Sequence, residues 1–440
     1  MQKVSIVTLG CPKNLADSEI IKGLLMEKGY YYEQDPALAD IIVVNTCGFI
    51  EDAKLESINT LLEMAQYKKT GRCRLMVASG CLTQRYGKEL MREMPEIDVL
   101  MGTTSFPEIV EAINQAAQGR RVLNIRHPDF VLPEGLPRNS LEKSHYAYLR
   151  IAEGCDNHCS YCIIPRIRGS YRSRRWEDIF EEGKSLVSDG AKELILIAQD
   201  TTGYGRDLYG ERKLPWLINK LCEIDGLYWL RLLYCYPDGI TRELVETMRD
   251  QPKLCKYLDI PIQHASDSIL KSMNRRTTAA QTERLLNFVK ENIPGLVIRS
   301  TVIVGFPGET DDDFKKLLSL VRKGYIDRLG VFVYSREEDT PAYDFSDRVL
   351  RSTAQERREI LMLEQQQISL RNNRAMAGKV LEVLTDGHDR DGYYGRTYGD
   401  APEIDNMVLF HSDKEIKAGE YVRVKVEHAL EYDLVGRVVG

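Results

Sequence analysis

The stretch AYLRIAEGCDNHCSYC, residues 147–162, decides how the rest of the chain is read. Its first half has a strand pattern, and its second half places Cys155, Cys159 and Cys162 within eight residues on what must be a loop. Three thiolates so close together can wrap one inorganic cluster. A cubane of four irons needs four ligands, so three cysteines leave one iron open to a substrate, whereas electron carriers fill all four positions. The alternatives are a zinc knuckle completed by His158 and a cluster that only braces the fold. Structural zinc favours C-x2-C pairs separated by a longer gap, and His158, adjacent to Cys159, is poorly aimed for it.

Downstream of this loop, strand-like segments ELILIAQD, WLRLLYCYP, KYLDIPIQ, LVIRSTVIVGFPGE and LGVFVYSREE alternate with helix-length segments. With AYLRIAEG they make six units, which predicts a full or partial (β/α) barrel with its active site at the strand C-termini. Thr353 and Glu356 form a capping-box pattern that opens a long polar helix running toward Arg374. Beyond it, short alternating strands such as YVRVKVEH place Val422, Val424 and Val426 on one face, as expected for a small antiparallel barrel.

Upstream, VSIVTLG, IIVVNTC and RLMVASGC are separated by helical patterns, a βαβαβ order that predicts a doubly wound parallel sheet. The proline-containing stretch HPDFVLPEGLPRNS reads as an extended connection. The expected segments are therefore 1–126, 141–372 and 375–440. Cys11, Cys47 and Cys81 each follow a strand of the first segment. In an open parallel sheet the strand C-termini share one edge, so these three thiols can converge into a second metal centre. Taken singly, each could equally be a buried core cysteine. Cys73 stands at the opposite end of its strand and cannot join them, and Cys222, Cys235 and Cys255 read as core residues.

Tyr161 completes a C-x3-C-x-aromatic-C motif after the first barrel strand, and here the chain resembles the radical S-adenosylmethionine superfamily. That resemblance implies a 4Fe-4S cluster whose open iron chelates S-adenosylmethionine and yields a 5'-deoxyadenosyl radical. It also implies cofactor contacts from Tyr161, from Gln199 and Asp200, from Gln263, and from Val304 and Gly305. His264 reads equally as a structural or a catalytic histidine, and no acid–base residue is assigned.

With the first triad included, the whole chain resembles the methylthiotransferases. Their implied architecture is a cluster-binding N-terminal domain, a radical S-adenosylmethionine barrel and a C-terminal TRAM barrel. The family implies two 4Fe-4S clusters, with S-adenosylmethionine serving as both radical source and methyl donor. It further implies an external sulfur source and an electron donor such as flavodoxin or ferredoxin. Leu9-Gly10-Cys11-Pro12-Lys13-Asn14 and Asn45-Thr46-Cys47-Gly48-Phe49-Ile50 look like the branch that methylthiolates an aspartate β-carbon of a small-subunit ribosomal protein. The rival branch, which acts on isopentenyladenosine in transfer RNA, has Gln-Met in place of Pro12-Lys13. A non-catalytic iron-sulfur or zinc RNA-binding protein is the reading from another class.

Charge offers a separate discriminator. Residues 375–440 carry 8 Lys and Arg against 13 Asp and Glu, a poor surface for phosphate and a suitable one for a basic protein. Arg166, Arg168, Arg172, Arg174 and Arg175 could grip phosphates, bind a carboxylate or pair with acidic neighbours. The formal net charge of -6 argues against a surface devoted to nucleic acid, leaving contact through the ribosome. The start MQKVSIVTLG shows no cationic leader before a long apolar stretch, and no run of about eighteen apolar residues occurs, so a cytoplasmic setting without membrane is expected. In that setting ten cysteines point to metal binding, catalysis or burial rather than disulfides.

Overall fold

Strands that are apolar on both faces need cover on both, and IIVVNT at residues 41–46 is buried at every position. The computed structural model describes residues 2–142 and 144–439; Met1, Lys143 and Gly440, at the ends of or within the expected segments, lie outside the described residues. The chain divides into two compact units, the first comprising Met1–Lys143, Ala152–Asp178 and Ser335–Tyr343 and the second the remainder.

In the first unit, strands β1 (Lys3–Thr8), β2 (Tyr31–Tyr32), β3 (Ile41–Thr46), β4 (Leu75–Gly80), β5 (Val99–Met101) and β6 (Val122–Asn124) form one sheet in the order β2-β1-β3-β4-β5-β6. Every pairing is parallel. Ile41, Val43 and Val77 pack with Ile20, Ile21 and Ile113 on one face. Ile42, Val44 and Met76 pack with Leu61, Met64 and Leu82 on the other. The expected doubly wound sheet is present, and its strand order reverses between β1 and β3, where such sheets open a crevice. Residues 128–140 hold no helix or strand, as their prolines suggested.

Strand β7 (Tyr146–Arg150) belongs to the second unit, while the short antiparallel pair β8 (Ala152–Glu153) and β9 (Arg172–Ser173), which closes the base of the cysteine loop, belongs to the first. The second unit continues with β10 (Glu193–Ile197), β11 (Trp229–Leu232), β12 (Tyr257–Asp259), β13 (Val297–Val304) and β14 (Arg328–Val333). They form parallel ladders β11-β10-β7 and β12-β13-β14, joined by a bridge between Leu230 and Leu254. Among the described residues no ladder joins β7 to β14, so the barrel is partial. Cys222, Cys235 and Cys255 are core residues here, and Cys73 is buried just before β4.

The long helix is present as Arg351–Arg374, but it begins after extended Leu350 with no side-chain cap. Thr353 is already helical, so the expected capping box does not form. The chain then closes a five-stranded barrel from β15 (Val380–Asp389), β16 (Gly392–Arg396), β17 (Val408–His411), β18 (Tyr421–Ala429) and β19 (Leu434–Val438). Four pairings are antiparallel, but β17 and β19 run parallel. Because β18 returns to pair with β15, β19 fills the remaining gap alongside β17 in the same direction. Val424 and Val426 are buried in its core and Val422 packs against it.

This barrel seals the amino ends of the central strands. Glu193, the first residue of β10, is fully buried between Arg231 Nε at 2.5 Å and Arg396 Nη1 at 2.8 Å. Arg328, the first residue of β14, meets Asp400 at 2.9 Å, and Tyr257, the first of β12, donates to Asp405 at 2.6 Å. Tyr228, just before β11, stacks on Tyr421 with ring centroids 3.7 Å apart. Removing one partner of such a buried group leaves uncompensated charge, at a cost of about 3–5 kcal/mol. Glu193→Leu is accordingly expected to lower the urea-unfolding free energy of the chain by about that amount; an unchanged midpoint would show that the network adds nothing.

Candidate functional site

Each thiol of the first triad sits where the sheet edge feeds a loop or helix. Cys11 is the N-cap of the Pro12–Glu27 helix, Cys47 follows β3 directly, and Cys81 opens the Cys81–Glu93 helix after β4. Helix N-termini favour anionic sulfur. The three loops touch one another, and each touches through a glycine. A Cβ on Gly10 would lie 2.8 Å from Cys47 Cβ, one on Gly48 would lie 2.7 Å from Leu82 N and 2.9 Å from Cys81 C, and one on Gly80 would lie 2.4 Å from Asn45 Oδ1. Gly80 also has φ of +99°. The sheet edge therefore brings the three cysteine loops together, as the shared topological position of the thiols required.

Asn14 laces these loops. Its Nδ2 donates to Leu9 O at 2.8 Å and Thr46 O at 3.1 Å, while Cys81 Sγ donates to its Oδ1 at 3.8 Å. Burial pushes the Cys81 thiol up to about 12 and raises Cys47 as well, with nearby Arg168 opposing both shifts. A metal bound here would have to displace those protons.

The second triad stands in the same compact unit. Gly154, at φ +78°, lets the loop turn where a Cβ would lie 2.0 Å from Ser170 O, and Cys155 N donates to Gly169 O at 3.0 Å. Cys162 N donates to Cys159 O at 3.0 Å, a tight turn around half-buried Tyr161. Ile163 and Ile167, just beyond Cys162, pack with Cys81 in one buried cluster. Segment 335–343 also binds both loops: Glu337 meets Lys54 and Arg85 at 2.9 Å each, Arg85 donates to Gly48 O at 2.7 Å, and Ala342 N donates to Ser160 O at 2.8 Å. His158 is exposed. Among the described residues no three His, Cys, Asp or Glu side chains stand close enough to share one metal ion. A single zinc would hold its sulfurs about 4 Å apart, whereas a cubane separates its ligands by its own width.

The remaining expected contacts lie at carboxyl ends of central strands. Gln199 and Asp200 follow β10, and Asp200 accepts from Thr202 Oγ1 at 2.6 Å. Gln263 follows β12 at φ +69°, its backbone bridging to β13 and its Oε1 buried with no partner among the described residues. Val304 ends β13. Gly305 has φ of +74°, and a Cβ there would lie 2.4 Å from Ala354 Cβ, so the Arg351–Arg374 helix already requires this glycine. His264 accepts from Ser266 N through Nδ1 at 3.0 Å, its Nε2 has no partner among the described residues, and burial pulls the imidazole down to about 4.

Sequence reasoning met Asn14 and Asp17 only as members of the branch signature with Ser18 and Glu19, gave Glu309 no task of its own, missed Glu153, and left Arg168 undecided within its cluster. Glu309 accepts from the backbone N of Gly305 and pairs with buried Arg357 at 3.0 Å. All five arginines of the cluster pair with carboxylates: Arg166 with Asp339, Arg168 with Asp17 and Glu153, Arg172 with Asp129, Arg174 with Asp178, and Arg175 with Glu134 and Glu177. Of the three uses open to them, acidic pairing is the one observed.

Residues 3–102 match a family described as "Uncharacterized protein family UPF0004", residues 149–321 match the radical SAM superfamily, and residues 377–439 match the TRAM domain. Among solved structures, the radical S-adenosylmethionine methyltransferase TsrM from Kitasatospora setae aligns over 88% of this chain and 81% of its own, with TM-score 0.57 and 14% identity, a similarity of fold. Among curated proteins, the "Ribosomal protein uS12 methylthiotransferase RimO" of Clostridioides difficile is 48% identical over 100% of this chain and 99% of its own. The protein of the same name from Thermoanaerobacter sp. is 49% identical over 99% of this chain and 100% of its own. At that identity over both full lengths, the chain belongs to the RimO family of radical SAM methylthiotransferases.

Proposed function

We propose that this enzyme inserts a sulfur and a methyl group at the β-carbon of an aspartate in ribosomal protein uS12. The observation that carries the reading is the packing of Cys81 against Ile163 and Ile167, the residues just past Cys162, within one compact unit. Radical generation and sulfur delivery need that adjacency, because a carbon radical must meet its sulfur before it meets anything else. The names of the curated relatives supply the substrate.

In this reading Cys155, Cys159 and Cys162 hold one 4Fe-4S cluster, and Cys11, Cys47 and Cys81 hold a second. The donor set suits both, since each triad supplies three thiols and leaves one iron for an outside ligand. The glycines at 10, 48 and 80 let the loops of one triad approach one another, and Gly154 lets the loop of the other turn. When bound, the first cluster and S-adenosylmethionine supply a 5'-deoxyadenosyl radical, and the second cluster supplies sulfur for methylation by a further S-adenosylmethionine. Tyr161, Gln199, Asp200, Gln263, Val304 and Gly305 would contact the cofactor. Gln263 is the best supported of these, because a buried amide oxygen without a partner is costly unless a ligand meets it. The proposed working segments are 1–126, 141–372 and 375–440. The setting is the cytoplasm, with an electron donor of the flavodoxin or ferredoxin class and a sulfur source; among the described residues no helix is long and apolar enough to cross a membrane.

The transfer-RNA reading is not favoured, since the curated relatives that match over both full lengths carry the ribosomal-protein name. The C-terminal charge is a weaker discriminator than its count suggested. Asp386, Asp400 and Asp405 spend their charge internally on Arg396, Arg328 and Arg299. Nine acids against seven bases remain exposed in residues 375–439. That surface still lacks the basic excess an RNA-binding barrel uses.

Reconstituted enzyme given uS12, sulfide, reductant and S-adenosylmethionine is expected to add a methylthio group to one aspartate; modification of transfer RNA alone would overturn this. Iron analysis should find about eight irons per chain. Cys159→Ala should abolish cofactor cleavage, while Cys47→Ala should retain cleavage and lose sulfur insertion. Gly80→Ala, whose methyl collides with Asn45, should halve the iron content while leaving cofactor cleavage in place.

A further inference from the structure

Arg168 ends the Ile164–Arg168 helix, six residues past Cys162, with its side chain only 2% exposed. Its Nη1 donates to Asp17 Oδ2 at 2.9 Å and approaches Glu153 at 3.4 Å. Its Nη2 donates to Asn14 Oδ1 at 2.7 Å and to Cys81 Sγ at 3.6 Å. Since Asn14 holds the carbonyls of Leu9 and Thr46, the guanidinium fork connects to all three cysteine loops of the sheet edge. A carboxylate-only cluster at this place would repel thiolates. Two carboxylates aimed at the guanidinium instead hold a permanent cation beside them, in a water-poor site where charge acts strongly. A lysine could meet the carboxylates but could not also span Asn14 and the sulfur in one plane.

We propose that Arg168 is a positioning residue for the Cys11, Cys47, Cys81 centre: through Asn14 it holds the three loops in register, and its charge offsets that of the thiolates and of a hydrosulfide-class anion taken up there. The inference rests on the reading of that triad as a cluster site. It also assigns a task to a residue carried on the loop of the other triad, so that the sulfur-handling centre is completed by the chain segment that follows the radical-generating one.

The test uses the full chain with Cys155, Cys159 and Cys162 changed to Ala, so that only the N-terminal centre can load. About four irons per chain are expected in this parent. Sodium sulfide is the probe, followed by the electron paramagnetic resonance of the reduced cluster, and the midpoint potential is titrated alongside. Arg168→Gln is expected to weaken hydrosulfide binding at least tenfold and to move the midpoint negative by a tenfold change in the redox ratio, about 59 mV for one electron. Arg168→Lys should recover the midpoint but not the resonance line shape, which reports the lost fork. Where Arg168→Gln fails to fold because two carboxylates are stranded, Arg168→Gln with Asp17→Asn and Glu153→Gln removes the strain; because that variant also removes two negative charges, it is read by the resonance line shape, which is expected to change with the lost fork. Full iron with parental hydrosulfide affinity and midpoint in Arg168→Gln, or with the parental line shape in the triple variant, overturns the inference alone. A parent that loads no iron overturns the cluster reading and the inference together.

Discussion

Backbone contact between three loops at one sheet edge is the constraint on which the rest depends. Parallel strands deliver their chain at the same end, but delivery alone leaves loops side by side. Here Gly10, Gly48 and Gly80 remove the Cβ atoms that would hold the loops apart, and Asn14 ties the result with hydrogen bonds from one buried amide. Three thiols separated by more than thirty residues each thereby become neighbours. The compact loop of Cys155, Cys159 and Cys162 needs no such help, because its spacing is local, and its own glycine at 154 serves only to turn the chain.

Those differences explain what was legible beforehand. The doubly wound sheet, the six barrel units and the meeting of the Cys11, Cys47 and Cys81 loops could be read because each rests on periodicity or on position relative to a strand end. The pairing of Arg168 with Asp17 could not, since it joins residues 151 apart through a fold that spacing does not encode. The same holds for the C-terminal acids: a count of charges treats Asp386 and Asp405 as surface, whereas Asp386 is consumed by Arg396 of the barrel itself and Asp405 by Arg299 of a central strand. Thr353 misled for a simpler reason. Its spacing to Glu356 suits a capping box, but extended Leu350 is already the N-cap three residues earlier, and a capping side chain inside a helix has no free amide to meet.

Buried charge recurs as a device in this molecule. Arg168, Glu193 and Glu337 are each almost wholly withdrawn from water, and each is held by more than one partner. Such groups gain little net stability over well-packed apolar ones, but they tolerate few alternative arrangements. Each stands at a junction: Arg168 between the two cysteine loops, Glu337 between a late segment and the loop after Cys47, and Glu193 between the central strands and the C-terminal barrel. Directional contacts at these points set register where apolar packing alone would allow slippage.

The C-terminal barrel, by sealing the amino ends of the central strands, also acts as a calliper. A partner resting on its outer surface is kept from the carboxyl ends of those strands by at least a strand length, roughly 17 Å for five residues. A free amino acid is too small to touch both places at once, while a folded protein can rest against one jaw and extend a loop to the other.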